Sequence, residues 1–257
     1  MSLQATYAGA NGWLLEFQDP ASTDPSLRVL VDPWLQGPLV FPPGPWLLKG
    51  ELPQPLPVPE PIDLLLLTQG LDDHCHPASL ALLPRTLPVV GSASAAARVQ
   101  RLGFQHITAL KPGQSHRHGS LTITATAGAP VPQVENGYLL DHPGGSLYLE
   151  PHGFLAADLA PRRVDAVITP VIDIALPLLG PFVCGRRVLP QLLERFQPST
   201  VLASTTGGDV RFDGLLAGLL RPQGSLAEAT ALLRSAGLPQ TQLIDPQPGV
   251  SYELPVS

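Results

Sequence analysis

Four consecutive leucines, Leu64–Leu67, constrain the fold of this chain more than any other segment. A strand with one face in water alternates polar and apolar residues, whereas an unbroken apolar run is expected where both faces of a sheet are covered. A polar stretch at residues 68–74 follows the leucines, and Pro77 then favours the start of a helix. We therefore predict a buried strand that carries polar side chains at its C-terminal end and leads into a helix.

The rest of the chain repeats this alternation of strands and helices in two similar halves. At 257 residues the chain is long enough for one α/β domain or two small ones, and we expect a single domain over residues 1–257. Ser225 and Glu228 form a capping box that predicts the start of a helix, and Gly237 predicts its end. Such a pattern favours two sheets packed face to face with helices outside. The other expected strands are residues 12–17, 27–32, 121–125, 137–140, 146–149, 164–169 and 201–203, and the other expected helices are residues 92–99 and 188–196.

Proline is unusually frequent, with 31 residues, and many of these prolines lie between Pro38 and Pro61. Proline fixes φ and lacks a backbone donor, so this stretch is not expected to form regular helix or a central strand. We expect an ordered insertion at about residues 36–61. Such an insertion either flanks the mouth of an active site or is a surface loop stiffened by proline.

Net charge and cysteine content limit which partners the chain can bind and which cellular compartment it fits. A net charge of −6 offers no general attraction for nucleic acid or an anionic membrane. Two cysteines, Cys75 and Cys184, are too few for a disulfide scaffold and fit a reducing compartment. Because neither a signal-peptide pattern nor a run of about 18 apolar residues is evident, we expect a cytoplasmic protein without a membrane span. Its partner would be a small molecule or a protein of unknown identity.

The polar stretch after the leucines contains the strongest candidate for a chemical site. An Asp–His pair at the C-terminal end of a strand, just before a helix, is a common way to build a metal site, and Asp73 and His74 form such a pair. The alternative is structural. Asp72 and Asp73 would then stabilise the N-terminus of the helix expected after Pro77, with His74 hydrogen-bonded to the carboxylate.

On these residues the chain resembles the metallo-β-lactamase superfamily, and its lactonase-like branch in particular. The superfamily's signature at this position is His-x-His-x-Asp-His. Gln69 and Leu71 stand at the first two ligand positions, whereas Asp73 and His74 keep the last two. A strand that ends at Asp32-Pro33 also looks like the opening of that branch. The resemblance implies a four-layer αββα sandwich.

Later landmarks of the superfamily are altered in this chain. The histidine that normally precedes a Gly-Tyr strand is absent before Gly137-Tyr138. Glu150 or His152 takes the place of the aspartate that bridges two metals, and residues 204–206 (Ser-Thr-Thr) take the place of the last histidine. Measured against the superfamily, most of the usual metal ligands are therefore replaced.

With most of these ligands replaced, the chain would hold at most one divalent metal, such as zinc, and its candidate ligands are Asp73, His74 and His152. Catalytic zinc generally takes three protein ligands and leaves one position open, so this set is sufficient if the fold brings it together. Asp73, or Asp72 as a carboxylate behind it, would orient the attacking water. Further candidates for contacts with a small ligand in the cleft are Gln69, Glu150 and Thr205.

Two functions remain open at this point. The first is that of a degenerate member of the superfamily, with little or no two-metal hydrolase activity, which acts by binding a partner or a small ligand. The second is that of a mononuclear metal-dependent hydrolase of an ester, a lactone or a phosphoester. They differ in whether replacement of Asp73 abolishes metal uptake and turnover.

Overall fold

The computed structural model describes residues 2–130, 134–176, 180–204 and 210–257, which form two large sheets, two small sheets and four α-helices. The strands are β1 (Ser2–Tyr7), β2 (Trp13–Gln18), β3 (Leu27–Val31), β4 (Leu39–Phe41), β5 (Leu48–Glu51), β6 (Leu64–Leu67), β7 (Val89–Gly91), β8 (Ile107–Ala109), β9 (Ser115–His118), β10 (Leu121–Pro130), β11 (Val134–His142), β12 (Gly145–Leu149), β13 (Ala166–Thr169), β14 (Asp173–Leu176), β15 (Gly180–Cys184), β16 (Thr200–Ala203), β17 (Arg211–Asp213), β18 (Arg221–Gln223), β19 (Gln242–Ile244) and β20 (Ser251–Leu254). The helices are α1 (Pro77–Ala81), α2 (Ala93–Arg101), α3 (Gly185–Phe196) and α4 (Leu226–Ser235), and Ala217–Leu219 form a 3-10 turn.

The two large sheets share one plan. The first has the strand order β20-β1-β2-β3-β6-β7-β8, and the second has the order β19-β16-β13-β12-β11-β10-β9. In the first sheet β20, β1, β2 and β3 pair antiparallel, whereas β3, β6, β7 and β8 pair parallel. In the second sheet β9 to β12 pair antiparallel, and β12, β13, β16 and β19 pair parallel. The two similar halves of the sequence therefore correspond to two sheets of similar construction.

The leucine run forms β6 near the middle of the first sheet, and its alternate side chains face opposite ways. Leu64 and Leu66 pack into a core with residues of the second sheet. Leu65 and Leu67 pack on the other face, against α1 and α2. All four side chains are fully buried. The run lacks polar residues because both faces of this strand are covered, as predicted.

The outer faces of both sheets are covered by helices. In β13 of the second sheet, Ala166 and Ile168 face the core between the sheets, whereas Val167 packs with Leu192 and Phe196 of α3. α4 packs beside α3 over β16. Helices therefore lie outside two stacked sheets, which confirms the αββα sandwich expected from the sequence.

The Pro-rich stretch contributes to a small sheet outside the two large ones. β4 and β5 lie within residues 36–61, and they pair with each other and with β17. Neither strand joins a large sheet, but β5 is the middle strand of this small one, so the expectation that the stretch contains no central strand was wrong. The four residues of β5 include no proline, so both of its edges can pair. A second small sheet, in the order β15-β14-β18, was not expected from the sequence.

The helix boundaries follow the capping residues. The Ser92 side chain accepts a hydrogen bond from the backbone N–H of Ala95 at the start of α2, and the Ser225 side chain accepts one from Glu228 at the start of α4. α3 begins at Gly185, three residues before the predicted start. Among the described residues, no helix has the length and apolar character needed to cross a membrane.

Replacing Leu66 by alanine is expected to lower the free energy of unfolding by about 2–5 kcal/mol, because the side chain is fully buried between the two sheets and its loss leaves a cavity. Leu82→Ala is the matched control, since Leu82 is 43% exposed and should change stability by less than about 0.5 kcal/mol. Urea denaturation of both variants measures the difference. Equal stability of the two variants would contradict the assigned core.

Candidate metal centre

Polar side chains from both large sheets meet at one edge of the sandwich. Asp32 follows β3, and residues 68–74 follow β6, which pairs parallel to β3. His152 lies three residues after the end of β12 in the second sheet. Because the carboxyl ends of parallel strands lie at the same edge, the loops that follow them converge. The ring centroids of His74 and His152 are 5.3 Å apart, so the loops of the two sheets meet at these histidines.

His74 is held through its Nδ1 atom. This nitrogen lies 2.8 Å from Asp32 Oδ2 and 2.8 Å from Thr68 Oγ1, and the ring is fully buried. The other ring nitrogen, Nε2, lies 3.4 Å from Asp73 Oδ2 and 3.3 Å from Asn11 Nδ2. The Asp32 carboxylate therefore fixes the orientation of the ring and directs Nε2 toward Asp73.

Asp32 is itself fixed by backbone and side-chain bonds. Its carboxylate accepts hydrogen bonds from the backbone N–H and the hydroxyl of Thr68, and its side chain is buried. The residue has φ of +39°, a left-handed conformation in which Asn and Asp are found more often than most residues. Strand β3 thus ends in a turn that aims the carboxylate at His74.

His152 is held in the same manner from the second sheet. Its Nδ1 atom lies 2.7 Å from Glu135 Oε1, and Glu135 is fully buried on β11. The other carboxylate oxygen of Glu135 accepts a hydrogen bond of 2.6 Å from Gln69 Nε2. A histidine that ligates a metal usually donates its second ring N–H to a carboxylate or a carbonyl, and both histidines have such a partner here.

The side chain of Glu150 bonds to backbone groups around the loop that carries His152. Its carboxyl group accepts hydrogen bonds from the backbone N–H groups of Ala129 (3.2 Å), His152 (3.2 Å) and Phe154 (2.6 Å). Burial, together with the neighbouring Glu135, raises the pKa of Glu150 well above its ordinary value. The bonds to His152 and Phe154 hold the loop that carries the His152 ring.

The charges around the two rings determine the direction of the pKa shifts. Burial alone would lower the pKa of His74, but the carboxylates of Asp73 and Asp32 outweigh burial and raise this pKa well above its ordinary value. Burial would raise the pKa of Asp73, but His74 and His152 outweigh it and lower this pKa. The site is therefore a place where positive charge is stabilised between carboxylates.

Within the part of the chain that the structure describes, two groups of side chains have the composition of a metal site. Ligand atoms of Asp73, His74 and His152 lie within 4.8 Å of one another, and the same is true of Glu135, Glu150 and His152. Asp73 Oδ1 is buried and has no hydrogen-bond partner among the described residues, so the first group holds an acceptor that a cation would satisfy. The carboxyl groups of the second group already accept hydrogen bonds from Gln69 and from the backbone. The first group therefore fits a cation better than the second.

One carboxylate and two imidazoles are a donor set that suits zinc, and also iron. A cation bound to His74 Nε2 would replace the hydrogen bond between this atom and Asn11. Three protein ligands leave coordination positions for water or substrate. A cavity of about 210 Å³, which we call the apolar cavity, lies beside this group and is lined in part by Asp73, His152 and Asn11.

The other described residues predicted from the sequence have partners outside the Asp73, His74 and His152 group or on its backbone. The Asp72 carboxylate forms an ion pair with Arg98 of α2, and Gln69 is engaged by Glu135. Glu150 is bonded to the backbone and is not among the described residues that line the apolar cavity. Thr205 lies outside the described residues.

The structural alternative for the aspartates does not match the observed helix start. His76 caps α1, and its side chain accepts a hydrogen bond from the backbone N–H of Ser79. The first turn of α1 contains no acidic residue. Asp73 lies beside His74, an arrangement that both hypotheses include.

Sequence reasoning did not assign a role to Asp32, Glu135 or Asn11. Asp32 precedes Pro33, and this Asp-Pro pair marks the end of a strand in the sequence. The pair does not indicate that the Asp32 carboxylate contacts His74. Glu135 carried no local signal because its partners, Gln69 and His152, lie 66 and 17 residues away in the sequence. Asn11 lies in the turn between β1 and β2 and reaches His74 over 63 residues.

The comparison with known families agrees with this geometry. The chain belongs to the β-lactamase superfamily, because the profile of the beta-lactamase superfamily domain matches residues 4–204. This match confirms the resemblance seen in the motif that contains Asp73 and His74. No curated protein matches the chain at a significant level.

Solved structures with the same fold extend over the whole chain. Igni18, a metallo hydrolase from the hyperthermophilic archaeon Ignicoccus hospitalis, superposes with a TM-score of 0.65 at 15% identity and covers 100% of both chains. An isothiocyanate hydrolase from Delia radicum gut bacteria gives a TM-score of 0.67 at 17% identity, with 97% of this chain and 98% of the other covered. The metallo-beta-lactamase fold protein YhfI from Bacillus subtilis gives a TM-score of 0.61 at 14% identity, with 98% of this chain and 99% of the other covered. At these identities the similarity establishes the fold alone.

Proposed function

We propose that the protein is a mononuclear metal-dependent hydrolase of an ester, a lactone or a phosphoester, with Asp73, His74 and His152 as the metal ligands. The observation that carries this proposal is the arrangement of the two imidazoles. Each has one nitrogen on a buried carboxylate, and His74 directs its other nitrogen at Asp73, whose Oδ1 has no hydrogen-bond partner in the described part of the chain. A buried acceptor left unsatisfied in a group with two oriented histidines is expected where a cation binds.

A divalent cation in this position supplies Lewis-acid polarisation of a carbonyl or phosphoryl oxygen and lowers the pKa of a water molecule. The chain itself does the positioning. Asp32 and Glu135 hold His74 and His152 in fixed orientations. The partly exposed Asp73 carboxylate lines the apolar cavity, where it can accept a hydrogen bond from the attacking water.

The proposed centre holds one metal because the first two signature positions contribute no strong ligand. Leu71 has no donor atom, and the Gln69 amide donates to Glu135. Glu150, which was a candidate to replace the bridging aspartate, is bonded to three backbone N–H groups. These substitutions argue for little or no two-metal hydrolase activity, as in a degenerate member of the superfamily. The ligand group around Asp73, and the metallo hydrolase among its structural neighbours, support a metal-dependent enzyme better than a protein that only binds a partner.

The experiment that tests this function is metal analysis combined with an ester-hydrolysis assay. The protein is purified without chelator or metal-affinity resin, loaded with zinc and desalted. We expect about one equivalent of zinc per chain in the wild type and in His142→Ala, and less than about a tenth of that in His152→Ala. His142 is a suitable control because it bonds to Ser120 at the surface. Zinc content of one equivalent in all three proteins, or none in the wild type, would contradict the proposal.

Replacing Glu135 by glutamine is expected to weaken zinc binding by about 10- to 100-fold, because His152 loses the carboxylate that accepts its Nδ1 hydrogen. Competition with a chromogenic chelator measures the affinity. Glu16→Gln is the control, since Glu16 pairs with Arg28 on β3 and does not contact the site. An unchanged affinity in the Glu135 variant would show that Glu135 does not position His152.

A further inference from the structure

We propose that the apolar cavity binds the uncharged, apolar acyl or aryl group of an ester or a lactone. This assignment of substrate class rests on the proposed hydrolase function. Of the three substrate classes named there, it retains the ester and the lactone and excludes the phosphoester. The proposed metal ligands Asp73 and His152 belong to the lining of the cavity, so a group that fills it can place its reacting carbonyl beside the metal centre.

The walls of the cavity are supplied by the two small sheets. Leu39, Phe41 and Leu48 come from β4 and β5 in the Pro-rich stretch. Ile174 and Phe182 come from β14 and β15 of the other small sheet. The Pro-rich insertion therefore flanks the site, which is one of the two positions considered for it.

Phe212 of β17 completes the wall formed by the insertion. It pairs with Gly50 of β5, and a Cβ atom on Gly50 would lie 3.1 Å from the Phe212 ring. Glycine at this position lets the aromatic ring lie close against the strand. Phe212 is 38% exposed and also lines the cavity, so it stands where the cavity meets solvent.

The charge of the lining determines which ligands can enter. Of the described residues that line the cavity, the ionisable ones are Asp73 and His152, and none is lysine or arginine. A phosphoryl or carboxylate group buried among these side chains would lose its hydration without gaining a cationic partner from the walls. An uncharged acyl or aryl group carries no such cost and gains from burial.

The volume limits the size of the group. An apolar cavity of about 150 Å³ holds benzene, so a cavity of about 210 Å³ accommodates a group somewhat larger than a phenyl ring or a chain of about six carbons. Methyl hexanoate is therefore a suitable substrate probe. Monomethyl adipate is its charged counterpart, with the same chain length and a carboxylate at the far end.

The first measurement compares the hydrolysis of methyl acetate, methyl hexanoate and monomethyl adipate by the zinc-loaded protein. Burying one methylene is worth roughly fourfold in affinity, so four additional methylenes should raise kcat/KM for the hexanoate over the acetate by on the order of 10²-fold. Monomethyl adipate should react at least about tenfold more slowly than methyl hexanoate. Equal rates for the acetate and the hexanoate, or faster hydrolysis of the adipate, would overturn the substrate class while leaving the hydrolase intact.

The second measurement does not depend on turnover. Hexanamide binding to the metal-free protein is followed by calorimetry in the wild type, in Ile174→Trp, which fills the cavity, and in Phe212→Ser, which opens its wall. Both variants should weaken binding at least about tenfold, whereas Leu82→Trp, on the outside of the fold, should not. If both cavity variants weaken hexanamide binding but no protein hydrolyses an ester, the assignment of the cavity as a binding site for apolar groups would stand. The proposed hydrolase function would then be wrong. No binding of hexanamide to the wild type would overturn the cavity assignment.

Discussion

Asp32→Ala is expected to lower the free energy of unfolding by about 3–5 kcal/mol, because it breaks a buried pair with His74. The carboxylate accepts three hydrogen bonds, two from Thr68 and one from the buried His74 ring. Its removal leaves the Thr68 backbone N–H without its acceptor, and the Thr68 hydroxyl and His74 Nδ1 each lose one of the two bonds they make. An unpaired polar group in the interior costs far more than the net value of the bond. Alanine must also adopt the φ of +39°, which is strained for a residue with a Cβ atom.

Asp32→Asn separates the two causes. Asparagine tolerates the left-handed conformation and keeps an oxygen for the Thr68 backbone N–H, but it loses the charge that faces His74. We expect a smaller loss of about 1–3 kcal/mol, and a zinc affinity reduced by about 10- to 100-fold. Asp158→Ala, on an exposed loop, is the control and should change stability by less than about 0.5 kcal/mol. A loss below about 1 kcal/mol in Asp32→Ala would show that this carboxylate does not hold the strand end together. Chemical denaturation of the metal-free proteins measures all three.

The large sheets could be predicted from the sequence because their signals are local. The apolar run Leu64–Leu67 predicts a strand buried on both faces from four consecutive residues. The capping box that begins at Ser225 predicts a helix start, also from four consecutive residues. The small sheets gave no such signal. β15 contains Pro181 and β18 contains Pro222, residues that argue against strands, and these strands form because each pairs with β14.

The candidate site was predictable in the same unequal way. Asp73 and His74 were recognisable because they are adjacent and follow a buried strand. The sequence alone made Gln69 look like a lost ligand, because its role depends on Glu135, a partner 66 residues away. Hydrogen bonds over such distances are set by how the two sheets stack, and no short pattern in the chain records them. The sequence therefore showed that Gln69 replaces a ligand of the superfamily, but not that its side chain bonds to Glu135.

Asp73→Asn is expected to lower kcat/KM for ester hydrolysis by about 10³-fold or more. Metal assistance contributes several kcal/mol to catalysis, and each 1.36 kcal/mol is about tenfold in rate, so loss of the one carboxylate in the ligand set removes most of the rate enhancement. Asparagine keeps the size of the side chain but not the negative charge that lies beside His74 and His152. The zinc content of the purified variant should fall together with the rate.

The neighbouring carboxylate provides the comparison for this experiment. Asp72→Asn changes the same functional group one residue away, but Asp72 is paired with Arg98 on α2, so zinc content and kcat/KM should stay within about twofold of wild type. Loss of turnover in Asp72→Asn at full zinc occupancy would instead support the role first considered for Asp72, that of orienting the attacking water. Retention of both zinc and turnover in Asp73→Asn would rule out Asp73 as a ligand, and with it the proposed centre, because His74 and His152 alone leave a catalytic zinc one protein ligand short.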